Sequence, residues 1–152
     1  MPQSTQPGNS YKQLAALIGG DALALLLFAW VGRSSHALSA LDIAAGLSTA
    51  APFIISWFLI TPWFGLYRAG VSQTWQKLLP RLLLAWLVIG GPLALVLRAL
   101  FLGRPIPGGI IPIFALITLS ITTLFMVTWR LAYIWWMHRH LSRNNQAKDL
   151  KL

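Results

Sequence analysis

The chain has 152 residues, 57% of them hydrophobic and only 10% charged, with a net charge of +9 and no cysteine. That length fits one domain, and so few charges cannot cover a soluble surface of this size. The missing cysteines exclude a disulfide framework, a thiolate metal site and a cysteine nucleophile, and the placement of the basic residues at the ends of apolar segments, without an interleaved aromatic stripe, excludes nucleic acid as a partner.

In chain order, Met1 to Gln13 is polar, with Pro2, Pro7, Gly8 and a single Lys12, and is expected to be a short tail (1–13). The one Ala-x-Ala at Ala22 to Ala24 lies inside the first apolar segment, which is therefore read as a retained helix and not as a cleaved leader. That helix is expected from about Leu14 to Gly32. Ser39-Ala40-Leu41-Asp42 has the character of a capping box, and Ala40 to Leu47 behind it, too short to span, is expected to be a short interfacial helix. The second spanning helix is expected from about Ala51 to Tyr67, with Pro52 at its start and a kink at Pro62. The third is expected over about Leu82 to Leu102, kinked at Pro92. Ile106-Pro107-Gly108-Gly109 reads as a turn, and the fourth helix as about Ile111 to Met137, opened by Pro112.

Three charge-free runs carry this assignment: Ile43 to Tyr67 and Pro105 to Trp129, 25 residues each, and Leu82 to Leu97, 16 residues. About 20 apolar residues cross a bilayer as a helix. The expected fold is thus all-α, an antiparallel integral membrane bundle of four transmembrane helices (14–137) with a short interfacial helix after the first and a basic C-terminal tail (138–152). Four spans put nine of the twelve Lys and Arg on the side of the termini and three, Arg33, Arg98 and Arg104, on the other. The positive-inside rule then places both termini in the cytoplasm. Gly19-Gly20-Asp21 to Gly32-Arg33 and Gly90-Gly91-Pro92 to Gly103-Arg104 have equal lengths and similar ends, a hint of a parallel hairpin repeat.

Ionised groups inside a membrane helix cost roughly 2.5–3.5 kcal/mol on insertion scales and are functional candidates by default. Asp21 lies about 10 Å into the first helix and Arg130 about 12 Å from the end of the fourth, counted at the helical rise. They enter from the same face and are expected to form an intramembrane ion pair. The plainer role for such a pair is to pin the first helix to the fourth; the sharper one is proton or ion handling with Asp21 as the titrating group. Only Thr122, Thr123 and Tyr133 share the face of Arg130, which is thin for a pathway. Ala16, Gly20 and Ala24 form a small-residue stripe beside Asp21 that favours close helix packing.

A second polar group, Arg33, His36, Asp42 and Arg98, with Arg104 nearby, gathers at the outer face. Its arginines read either as snorkelling cations or as an anion or lipid-headgroup site. No metal-ligand set, phosphate loop or other catalytic motif accompanies it, so no cofactor and no enzymatic activity are expected.

The polar positions Gly20-Asp21, Phe28-Ala29, Gly32-Arg33, Ser35-His36, Pro52-Phe53, Trp57, Leu97-Arg98 and Trp129-Arg130 resemble the bacterial and plastid family called domain of unknown function 3054, over about residues 14–137. The resemblance implies a four-helix integral membrane protein without an established activity, in a bacterial plasma membrane or a thylakoid. It also implies that Asp21, Arg33, His36, Arg98 and Arg130 belong to a family pattern. The leading expectation for function is a non-enzymatic membrane subunit or assembly factor that packs in the lipid bilayer against other membrane proteins or as a homo-oligomer. The alternatives are a small oligomeric transporter using Asp21 and Arg130, and, least favoured, a lipid-directed enzyme using His36 and Asp42.

Overall fold

A computed structural model describes residues 7–35, 42–108 and 110–149. Four helices in it are long and apolar enough to cross a membrane, with spans at Tyr11–Ser34, Ile43–Ile60, Trp75–Phe101 and Pro112–Arg139. The bundle is inverted relative to a soluble protein. Asp21, Ser56, Thr122 and Arg130 are fully buried, while Leu23, Val31, Leu59, Val88 and Leu116 face outward with more than half their surface exposed. Lipid is as apolar as these side chains, so nothing drives them inward.

Helix α1 (Pro7–Ser35) begins within the expected polar tail. Pro7 suits the first helical position, where its missing N–H costs nothing. Helix α2 (Ile43–Ile60) corrects two expectations. No separate interfacial helix is seen over the described residues 43–47, which already belong to α2: Asp42 caps the long helix itself, its Oδ1 accepting from Ala45 N at 2.9 Å. Pro52 is consequently buried in the helix interior instead of opening it. At the other end α2 stops at Ile60 and does not continue kinked to Tyr67. Pro62 cannot donate to the helix ladder, and Gly65 adopts φ 61°, a conformation with little cost only for glycine. The chain folds back through turns over 61–67, closed by Gly65 N to Pro62 O at 3.1 Å and Leu66 N to Thr61 O at 3.4 Å.

A short helix α3 (Ala69–Ser72) leads into the third span, built as α4 (Trp75–Leu83), a π-helical segment (Leu84–Gly90) and α5 (Gly91–Phe101). The wide turn immediately precedes Pro92, where it relieves the clash of the proline ring with the preceding turn. This span therefore begins seven residues before the expected Leu82. The Ser56 hydroxyl of α2 donates to Gly90 O at the end of the π-helical segment at 2.5 Å, and Gly91, at the start of α5, makes room for Leu119 of the fourth span, which a Cβ there would meet at 2.3 Å, so a small residue lets the helices approach closely.

Helix α6 (Pro112–Asp149) runs well past Met137 because neither proline nor glycine follows within it. It packs along α1 in the opposite direction, with Leu17 against Tyr133 and Met137. Gln73 donates to Gln13 at 3.4 Å, which puts the segment between α2 and α4 at that same end. The core proper is Phe28, Phe53, Trp57, Leu66, Leu78, Leu82, Trp86 and Met126, with Trp57 and Trp86 edge to face at 5.6 Å.

Candidate functional site

Asp21 is the centre of the polar interior. Its carboxylate has no exposed surface and accepts four hydrogen bonds from three other parts of the chain. On Oδ2 converge Arg130 Nη2 from α6 at 2.6 Å, Trp57 Nε1 from α2 at 2.9 Å and the Tyr67 hydroxyl from the 61–67 turn at 2.9 Å. On Oδ1, Trp129 Nε1 donates at 3.1 Å. A carboxylate offers about four lone-pair sites, two on each oxygen, so Oδ2 is fully engaged by this chain and Oδ1 holds one donor.

Each donor depends on a local feature. Trp129 reaches Oδ1 across α1 only because residue 20 has no side chain: a Cβ on Gly20 would lie 1.7 Å from Trp129 Cζ2. The small residue beside the acid therefore makes room for an indole of its own bundle. Tyr67 reaches Oδ2 because α2 ends at Ile60 and the turn carries the chain back into the core; a helix continued to Tyr67 would carry the ring away. The same turn frees the carbonyl of Leu66, which accepts from Arg130 Nη1 at 3.3 Å. Non-helical backbone at membrane depth is tolerated where it is buried in protein, and Leu66 has no exposed surface.

Arg130 is fully buried and stands 5.1 Å from the centroid of the Tyr67 ring, close enough for a cation–π contact. Its Nε and the Trp86 Nε1 are buried donors without a hydrogen-bond partner among the described residues. The Tyr67 hydroxyl, partly buried, serves as a donor to Asp21 Oδ2. Thr122 and Thr123, expected on the face of Arg130, turn their hydroxyls to Thr118 O and Leu119 O of their own helix, each at 2.6 Å.

The described outer-face residues lie at three helix ends. Asp42 is exposed and caps α2. Arg33 lies half-buried in the last turn of α1. Arg98, in the last turn of α5, lies over the Phe114 ring at 5.1 Å and lines a cleft with Arg104. His36 falls outside the described residues. Among those residues no group of three His, Cys, Asp or Glu could hold a metal ion.

Trp57, Tyr67 and Trp129 were not expected at the acid. Aromatic residues in a membrane sequence read as boundary or lipid contacts, and the only hint was Gly20 beside Asp21 on one helix and Trp129 beside Arg130 on another. No curated protein and no solved structure matches this chain. A family model described as a protein of unknown function (DUF3054) matches residues 18–133, a stretch that contains Asp21, all four of its donors and most of every span; the chain belongs to that family.

Proposed function

We propose that this protein is a non-enzymatic membrane subunit or assembly factor, held rigid by the Asp21 network and working through its lipid-facing helices. The observation that carries the reading is the complete burial of Asp21 among four donors of its own chain. A carboxylate that relays protons or coordinates a passing ion needs acceptor capacity open to water or to the ion. Here Asp21 has no exposed surface, three donors of the same chain converge on Oδ2 and one on Oδ1, and three of the four are large aromatic side chains that close around it. This arrangement favours a tie between α1, α2, the 61–67 turn and α6. We place both termini in the cytoplasm from the distribution of Lys and Arg, eight against three once the buried Arg130 is set aside, in a bacterial plasma membrane or a thylakoid.

The test is purification of a tagged copy from native membranes in mild detergent, followed by mass spectrometry and a measurement of particle mass. A stoichiometric membrane-protein partner retained through size exclusion is the expected result. A particle containing only this chain and lipid would overturn the subunit reading.

A second reading, ion translocation by an oligomer, draws on one specific observation: irregular backbone at 61–67 beside a buried charged pair, an arrangement also found where helices break at transport sites. Asp21→Asn separates the two. Loss of flux in proteoliposomes with the fold intact favours translocation. Tolerance of a joint Asp21→Leu, Arg130→Leu replacement favours the tie, since a buried pair is often no better than a well-packed apolar substitute.

A further inference from the structure

At the end of the bundle opposite the termini, α5 finishes and α6 begins around a cleft lined by Arg98 and Arg104 together with Leu95, Leu102, Ile111 and Phe114. We propose that this cleft binds the phosphate of an anionic lipid, with Arg98 and Arg104 on the headgroup and the acyl chain along the apolar wall. The inference does not depend on the assembly role.

The two arginines are directed there by different means. Arg98 sits in the last turn of α5, half-buried, with its guanidinium carbon 5.1 Å above the centre of the Phe114 ring. That contact holds the planar fork in one orientation. Arg104 follows Gly103, whose φ of 62° ends the helix. Arg104 N donates to Ala99 O at 2.9 Å and Gly103 N to Leu100 O at 3.0 Å, the closing pattern of a helix terminated by a left-handed glycine. This turn brings Arg104 back over the cleft that Arg98 already lines.

Two like charges against an apolar wall lack a counterion in the lining, which contains no carboxylate. The whole chain has three acids. Asp21 is paired with Arg130, Asp42 caps α2 through Oδ1, and Asp149 lies at the far end of α6. The cleft is small, with a volume of about 90 Å³. It suits one phosphate group and no folded partner. Arginine forks match phosphate oxygens in pairs. Leu102 and Ile111 of the lining, and Leu100 and Phe101 beside them in sequence, are more than half exposed, and the apolar span that contains α5 ends at Phe101. A free phosphate would use the arginines and leave that wall in contact with nothing of its own, so the lipid is the better match.

The full chain, delipidated in detergent, is titrated with phosphatidylglycerol, with phosphatidylcholine and with inorganic phosphate, and bound lipid is read by native mass spectrometry. The expected result is at least a fivefold preference for phosphatidylglycerol over phosphatidylcholine, reduced to near parity in Arg98→Gln/Arg104→Gln and retained in Arg139→Gln at the other end of the bundle. Should the double variant fail to fold, Arg104→Gln alone, at an exposed position, is expected to weaken the preference at least twofold. Unchanged preference in a folded variant overturns the proposal. So does displacement of phosphatidylglycerol by millimolar inorganic phosphate, which would make the site one for free anion and not for lipid.

Discussion

Arg130 and Arg98 are the same residue type on facing elements of one bundle, and the protein treats them in opposite ways. Arg130 is withdrawn from all solvent and lipid and is met by a carboxylate at 2.6 Å, a carbonyl at 3.3 Å and a tyrosine ring. Arg98 stays half-buried over Phe114 beside a second arginine, in a cleft without an acid. A cation can be taken fully inside only where the bundle itself supplies the opposite charge and enough acceptors, because an uncompensated buried ion costs several kcal/mol. Asp21 is the sole acid inside the bundle among the described residues, and it is committed to Arg130. The other end carries Asp42, which is exposed and caps α2 and does not line the cleft, so Arg98 and Arg104 remain at the boundary.

The sharpest way to break this contrast is to remove the compensation. Asp21→Ala leaves Arg130 buried without its counterion and is expected to cost about 3–5 kcal/mol, read as a fall in the thermal midpoint in detergent followed by tryptophan fluorescence. Asp21→Leu combined with Arg130→Leu removes the unpaired charge but leaves Trp57, Tyr67 and Trp129 without their acceptor, so only part of that loss should return; a double variant no more stable than Asp21→Ala would show that these donors, and not the charge pair, hold the helices together. Gly20→Ala comes next. Its Cβ collides with Trp129, and the indole must leave Oδ1, at a cost of about 1–3 kcal/mol for overpacking. A neutral Gly20→Ala would mean that Trp129 is not held against the backbone of residue 20. Tyr67→Phe removes one donor from Oδ2 while keeping the ring over Arg130, and about 1 kcal/mol is expected, since hydrogen bonds between membrane helices contribute little more than this. The smallest effect belongs to Arg139→Gln. Arg139 stacks on Trp135 at 3.8 Å at an exposed site, where such contacts contribute about 0.5–1 kcal/mol, so a midpoint shift near the error of measurement is anticipated.

Legibility in the sequence differed between the two regions in the same sense. The depth of Asp21 and Arg130 follows from counting residues along two apolar runs that start from one face, because a helix advances by a constant rise. What surrounds them does not follow. The return of the chain at 61–67 requires Pro62 and Gly65 to act together, whereas Pro62 alone reads as a kink. Pro52 likewise reads as a helix start, although Asp42 ten residues earlier provides the cap and the helix runs through the proline. The convergence of Arg98 and Arg104 depends on the turn at Gly103, which composition alone does not orient.

By itself, then, the sequence determined that this chain is a helical membrane protein with four spans and two charges too deep to be left unpaired. Run length, hydropathy and the cost of a lone ion in lipid are local properties that no tertiary arrangement can alter. Tertiary structure decided where each helix ends, which aromatic donors surround Asp21, why residue 20 must be glycine and which arginines share a cleft. Those outcomes depend on contacts between residues as far apart as Asp21 and Trp129. In a membrane they are set by close packing and by the need to satisfy every buried polar group, and neither can be read from the order of residues along one helix.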